Sequence, residues 1–114
     1  MKLAGKVALV TGASSDKGAA MSELLASEGV CVTINFLKRK EKAEAILDKI
    51  KQNGGRAMIW QADVTRKESV NDMVEATRKQ FGAVDILVNN VHGKISRKSF
   101  EETVWDEYIE NLYG

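Results

Sequence analysis

The sequence has no proline, one cysteine and one histidine among its 114 residues. Because no proline-rich or glycine-rich stretch marks a linker, a single small domain is expected. Cys31 cannot form a disulfide within the chain, which favours a reducing, cytoplasmic setting. Since His92 is the only histidine, neither a metal site nor a histidine-based triad is expected, and we interpret His92 as a loop residue without a catalytic role.

Strong charge and long apolar runs are also missing. The formal net charge at pH 7 is +1, so the chain lacks the field that would attract nucleic acid or an anionic membrane. No apolar run approaches the ~20 residues of a membrane span. The run at 7–10 is too short for the core of a signal peptide. We therefore expect a cytoplasmic globular protein with no nucleic-acid partner and no membrane partner.

Apolar, β-type runs alternate with helical patterns along the whole chain. The runs cover 6–11, 30–36, 57–62 and 84–89, and the helical patterns cover 17–28, 40–53, 65–81 and 99–112, the third opening on a Thr65–Glu68 capping box. This order predicts an α/β, Rossmann-like, doubly wound parallel sheet of half size. Right-handed crossovers give the strand order 3-2-1-4 with helices on both faces. A ligand crevice is expected where the first and fourth strands end, at Gly12 and Asn89.

The first strand leads into a turn of small residues, Thr11-Gly12-Ala13-Ser14-Ser15-Asp16-Lys17-Gly18, and then a helix. Such a turn directs backbone N–H groups and the positive end of the helix at one place, which suits a phosphate. Gly12 allows the tight turn, Gly18 allows the helix to pack close to the strand, and Ser14 and Ser15 offer hydroxyl and N–H groups. The alternative is a plain strand–helix turn with no ligand.

Four motifs in order resemble the short-chain dehydrogenase/reductase family, and the resemblance covers the whole chain. The turn is similar to the TGxxxGxG loop, Asp63-Val64 to the Asp-Val that brackets adenine, and Asn89-Asn90 to the start of the NNAG motif. Trp105-Asp106 and Asn111-Leu112 resemble the helix that carries the active-site Asn. The nearest branch is the bacterial acyl-carrier-protein reductases. The resemblance implies one NAD(P)-binding domain over residues 1–114 and places Asn111 as the catalytic candidate.

The resemblance also implies roles for residues at the ends of the third and fourth strands. Asp63 would accept a hydrogen bond from the adenine amino group beside Val64. The alternative for Asp63 is to cap the third helix, and both roles can hold. Asn89 would either bond the cofactor ribose or brace the fourth strand.

The end of the second strand bears on the choice of cofactor. An NAD site needs an acid there for the ribose hydroxyls, but the first acid is Glu41. Lys38 and Arg39 precede it and suit a 2′-phosphate, with Lys17 as a further cation. NADP(H) is therefore favoured over NAD(H). The alternative is a solvated, basic start of the second helix.

The sequence departs from the family pattern at several points. Asp16 replaces the middle glycine of the loop, and its charge ~4 Å from a phosphate would cost about 1 kcal/mol in water and about 4 kcal/mol in a surface cleft. Val91-His92 replaces Ala-Gly, and Asn111 follows Trp105 by six residues instead of seven. No catalytic Ser or Tyr-x-x-x-Lys is recognisable, since Tyr108 is followed by Leu112.

These departures predict a short-chain dehydrogenase/reductase half that binds its cofactor weakly or not at all and lacks catalysis. The alternative is a non-enzymatic, oligomerising relic or fragment that binds no nucleotide. In either case the fourth strand would present an apolar edge. We expect a homo-oligomer formed through that strand or through the last helix.

Overall fold

The computed structural model describes residues 3–13 and 15–90. It contains four strands and three helices within those ranges: β1 Val7–Thr11, α1 Asp16–Ser27, β2 Cys31–Phe36, α2 Lys40–Gln52, β3 Arg56–Gln61, α3 Lys67–Gln80 and β4 Ile86–Asn89. The predicted alternation of strands and helices is therefore confirmed as far as Asn90. Ser14, His92 and Asn111, together with the helix predicted over 99–112, lie outside the described residues.

The four strands form one parallel sheet in the order β3-β2-β1-β4, as predicted. β1 and β2 are buried along their whole length because they lie in the middle of the sheet. β4 begins at Ile86, two residues later than predicted. The cause is Asp85, whose carboxylate accepts the N–H of Val7 at 2.9 Å where a ladder carbonyl would otherwise stand.

The sheet buries a core on each face, so the predicted two-sided covering is confirmed. Ala8 and Val10 point to the face covered by α1 and α2, whereas Leu9 points to the face covered by α3. The first core also contains Val32, Ile34, Leu25, Ala43 and Ile50, and the second also contains Val70, Met73 and Val74. This packing fixes the height of each helix against the sheet and therefore the positions of the turns at the carboxyl ends of the strands.

The start of α3 differs from the prediction. The N-cap residue is Arg66, and its side chain makes no capping hydrogen bond. The Thr65–Glu68 capping box is wrong because α3 begins at Lys67, so Thr65 precedes the N-cap, and its hydroxyl donates to Asp63 Oδ1 at 2.6 Å. Over residues 3–13 and 15–90, no helix is long and apolar enough to cross a bilayer.

Candidate functional site

The turn between β1 and α1 is closed by its own hydrogen bonds. Gly12 has φ +58°, the left-handed conformation that glycine adopts without strain. The Ser15 hydroxyl donates to the Gly12 carbonyl at 2.8 Å and accepts the Gly18 N–H at 3.1 Å, so Ser15 is the N-cap of α1. The Ser15 N–H also donates to the Gly12 carbonyl, at 3.1 Å. The Ser15 hydroxyl that we predicted to bind phosphate therefore holds the turn, and its proton is already used.

The predicted close approach at Gly18 is present. A Cβ at position 18 would lie 2.5 Å from Ala13 Cα and 2.6 Å from the Gly12 carbonyl oxygen. Both are backbone atoms, so rotating a side chain could not relieve the overlap. Gly18 therefore sets how closely the first turn of α1 lies to the end of β1.

Two amide groups at the start of α1 remain for an anion. The first four N–H groups at a helix start lack partners within the helix, and here they belong to Ser15, Asp16, Lys17 and Gly18. Those of Ser15 and Gly18 are bonded within the turn. Those of Asp16 and Lys17 donate to none of the described residues. They lie at the positive end of the α1 dipole, where an anion is stabilised.

Asn35 is a functional candidate that the sequence analysis missed. Its side chain is only 2% exposed, near the carboxyl end of β2. Oδ1 accepts the Gly12 N–H at 3.3 Å, and the Asn35 carbonyl accepts the Ala13 N–H at 3.0 Å. Nδ2 donates to the Ala62 carbonyl at 3.2 Å. The available signal was a polar residue inside the otherwise apolar run of β2.

Asp63 closes a turn after β3. Its Oδ1 accepts the backbone N–H of Thr65 at 2.9 Å as well as the Thr65 hydroxyl. These hydrogen bonds, with the nearby charge of Arg66, hold the pKa of Asp63 below its ordinary value. Asp63 shapes the approach to α3 without being its N-cap. Its Oδ2 accepts from no side chain or amide of the described residues, which leaves an acceptor for a ligand. Val64 packs, half-buried, against the α3 core.

Thr11 and Asn89 join the ends of β1 and β4. The two residues are register partners, and the buried Thr11 hydroxyl donates to Asn89 Oδ1 at 2.9 Å and accepts the Asn90 N–H at 3.1 Å. The bracing role of Asn89 is therefore present. Next to it, Asn90 Nδ2 is buried and has no hydrogen-bond partner within residues 3–13 and 15–90. A buried donor with no acceptor requires an explanation, and a ligand acceptor in the crevice would supply one.

Lys38 and Arg39 are exposed in the bend between β2 and α2. The Arg39 side chain makes no cap hydrogen bond, and neither residue belongs to an ion pair within the described ranges. The bend is attached to β3 by Gln61 Nε2, which donates to the Leu37 carbonyl at 2.9 Å. No carboxylate of the described residues pairs with these two exposed cations at the end of β2.

Because the strands are parallel, one edge of the sheet collects every described residue that we predicted to bind the cofactor. Gly12, Ser15, Lys17 and Gly18 follow β1, Lys38 and Arg39 follow β2, Asp63 and Val64 follow β3, and Asn89 ends β4. The two amides of α1 that have no partner among the described residues fit a phosphate at this edge. Asp16, exposed in the first turn of α1, adds a negative charge to this edge.

The chain is similar to known proteins along most of its length. The family model of short chain dehydrogenases matches residues 6–113. The 3-oxoacyl-[acyl-carrier-protein] reductase FabG of Staphylococcus epidermidis is 40% identical over 96% of this chain and 46% of the relative. The short-chain dehydrogenase/reductase homolog YusS of Bacillus subtilis is 41% identical over 79% of this chain and 83% of the relative.

The fold is also similar to that of a solved dehydrogenase. The crystal structure of a hydroxysteroid dehydrogenase from Escherichia coli superposes with a TM-score of 0.86 at 25% identity, over 96% of this chain and 55% of that chain. The chain spans about half the length of the first curated relatives that it matches, at 43% and 46%. The fold is of the Rossmann-like, doubly wound α/β class. The chain belongs to the short-chain dehydrogenase/reductase family of oxidoreductases.

Proposed function

We propose that these residues bind NADP(H) and form the cofactor-binding part of a short-chain dehydrogenase/reductase. The observation that carries the proposal is the pair of unpartnered N–H groups of Asp16 and Lys17, in a member of a family whose proteins use NAD(P)(H). They would receive the pyrophosphate beside Gly12 and Ser14. Asp63 Oδ2 would accept from the adenine amino group beside Val64, and Asn89 would keep β4 in place at the nicotinamide side.

The preference for NADP(H) over NAD(H) rests on the end of β2. Lys38 and Arg39 are exposed cations there, and Phe36 and Leu37 stand where an acid would bind the ribose of NAD. An arginine can contact a phosphate through two N–H groups at once. Lys17, at the start of α1, would add a cation near the phosphates.

Asp16 limits the expected affinity. A carboxylate ~4 Å from a phosphate costs about 1 kcal/mol in water and about 4 kcal/mol at the effective dielectric of a surface cleft. The larger cost corresponds to a loss of about 1000-fold in affinity. We therefore propose that NADPH binding is weak in comparison with a site that has glycine at this position.

Calorimetric titration with NADPH and NADH tests the cofactor proposal. The double variant Lys38→Ala/Arg39→Ala should bind NADPH about 10-fold to 100-fold more weakly, because it loses charged hydrogen bonds to the 2′-phosphate, and NADH binding should not change. The control Lys51→Ala/Lys79→Ala removes the same charge from the last turns of α2 and α3. No saturable binding at millimolar NADPH, or an equal loss for both cofactors, would contradict the proposal.

We further propose that these 114 residues do not turn over substrate by themselves. The FabG relative extends well beyond the matched region, which is 46% of its length, and this sequence has no Tyr-x-x-x-Lys, since Leu112 stands four residues after Tyr108. Asn111 stays a predicted catalytic residue. The assay is NADPH oxidation by the purified chain with a 3-oxoacyl thioester, the substrate type in the name of the FabG relatives. Enzyme-dependent turnover would overturn this proposal.

We also propose that the chain forms a homo-oligomer in a reducing, cytoplasmic setting. Within the described sheet β4 pairs only with β1, so its other edge offers N–H and C=O groups to β4 of a second copy. The alternative contact is through the last helix. The free, buried thiol of Cys31 supports the reducing setting. Light scattering during size-exclusion chromatography should give at least the mass of a dimer. A monomer at high concentration would contradict the oligomer, whereas a dimer without NADPH binding would favour the non-enzymatic alternative.

A further inference from the structure

Asn35 bonds to backbone groups from two different turns. Oδ1 accepts the N–H of Gly12, in the turn after β1, and Nδ2 donates to the carbonyl of Ala62, directly after β3. Nδ2 also lies 3.4 Å from the carbonyls of Trp60 and Phe36. The side chain therefore connects the ends of β1 and β3 across the end of β2.

An apolar residue in the place of Asn35 would leave two backbone groups without these partners. Gly12 N–H and Ala62 carbonyl have no other hydrogen bond among the described residues. Ala62 is buried, so its carbonyl gains little from water. A buried backbone group that loses its partner keeps its full desolvation cost, which lowers the stability of the turn. A carboxamide, with one acceptor and one NH₂ donor, satisfies both groups at once.

We infer that Asn35 is a positioning residue that fixes the Gly12 turn relative to Asp63. Gly12 begins the turn that carries the unpartnered amides of α1, and Ala62 is the neighbour of Asp63 in the chain. The two ends of one buried amide thus hold the pyrophosphate and the adenine ends of the proposed cofactor site at a set separation. This inference rests on the proposed NADP(H) site, and it concerns the preorganisation of that site.

The first test needs no ligand. In Asn35→Ala the amide hydrogen of Gly12 should exchange with solvent at least about 10-fold faster, because its acceptor is gone. The amide of Leu9 in the centre of the sheet should keep its rate. The matched control is Asn53→Ala, which removes an exposed amide that bonds the Lys49 carbonyl at 3.0 Å. Unchanged exchange at Gly12 would overturn the inference.

The second test compares a ligand that spans both ends with a ligand that touches one end. Asn35→Ala should weaken NADPH about 10-fold and leave adenosine 2′-monophosphate, which lacks the pyrophosphate, nearly unchanged, because only NADPH needs both ends in register. Equal losses for the two ligands would mean that Asn35 is merely structural. If the unmodified chain binds no NADPH, the proposed function fails, and the Gly12 exchange still decides the role of Asn35.

A second variant covers the case in which Asn35→Ala does not fold. Asn35→Asp keeps the acceptor for the Gly12 N–H and removes the donor to the Ala62 carbonyl. Gly12 exchange should then stay slow, and the ratio of NADPH affinity to adenosine 2′-monophosphate affinity should fall at neutral pH. Fast exchange at Gly12, or an unchanged ratio, would contradict the proposed connection.

Discussion

Replacing Gly18 with alanine is the most direct perturbation of the proposed site. The added Cβ would lie 2.5 Å from Ala13 Cα, whereas ordinary contacts begin at 3.4 Å, so the start of α1 would have to move by about 0.9 Å. The movement strains the 3.1 Å hydrogen bond from the Gly18 N–H to the Ser15 hydroxyl. It also shifts the amides of Asp16 and Lys17, and NADPH affinity should fall together with stability.

The sign of the stability change distinguishes packing from helix propensity. Alanine favours a helix by about 1 kcal/mol over glycine. Overpacking costs about 1–3 kcal/mol, and the upper part of that range applies because both close contacts are to backbone atoms. We expect Gly18→Ala to lower the free energy of unfolding by about 2 kcal/mol after the helix term has offset part of the overlap.

Urea denaturation measures this change, with Gly54→Ala as the control. A Cβ at Gly54 meets nothing within 4 Å, but φ is +80°, so that variant should lose only the cost of the left-handed conformation, about 1 kcal/mol. Amide shifts of Gly12 and Ala13 should move in Gly18→Ala and stay in place in Gly54→Ala. A Gly18→Ala protein as stable as the parent, or more stable, would refute the close approach of α1 to the β1 turn.

Two further predictions concern carboxylates. Asp16→Asn should bind NADPH between about 5-fold and about 1000-fold more tightly by calorimetry. Asp48→Asn, at an exposed position on α2, should leave the NADPH affinity unchanged. Equal NADPH affinities of the two variants would refute the repulsion. The pKa of Asp63 is lowered, so its contribution to stability is complete above the ordinary value of 3.8 and is lost as the pH falls through the lowered pKa. Thr65→Val should raise the pKa of Asp63 in a carboxyl NMR titration, and an unmoved titration would contradict the role of the Thr65 hydroxyl.

The order of the strands could be predicted from the sequence because burial in a parallel sheet requires a simple hydrophobic pattern. β1 and β2 are buried on both faces, so each is an almost unbroken apolar run that periodicity can identify. Handedness of the crossovers then fixes the strand order without any knowledge of contacts. The beginning of β4 was misplaced because a long-range bond from Val7 to the Asp85 carboxylate replaces a ladder bond.

The sequence predicted the location of the candidate site much better than it predicted the hydrogen bonds within it. The position of Gly18 predicted a close approach, since a missing side chain is visible in the sequence itself. Asn35 was missed because its partners lie 23 and 27 residues away. The prediction for Thr65 was wrong because the local pattern fits a capping box equally well, although α3 begins at Lys67 with Arg66 as its N-cap. Local motifs therefore predict where a polar residue lies better than they predict the group to which it bonds.

The hydrogen bonds of the β1–α1 turn have a consequence for how such loops are interpreted. Asn35 accepts the N–H of Gly12 and Ser15 accepts the N–H of Gly18, so no ligand is needed to satisfy these two groups of the turn. The hydrogen bonds of the loop therefore form with the carboxylate of Asp16 in the first turn of α1. That carboxylate even stabilises the helix start, by about 0.3–1 kcal/mol at an exposed site. Asp16 thus stabilises the fold but weakens the affinity for a phosphate. Only a binding measurement reports the effect on affinity.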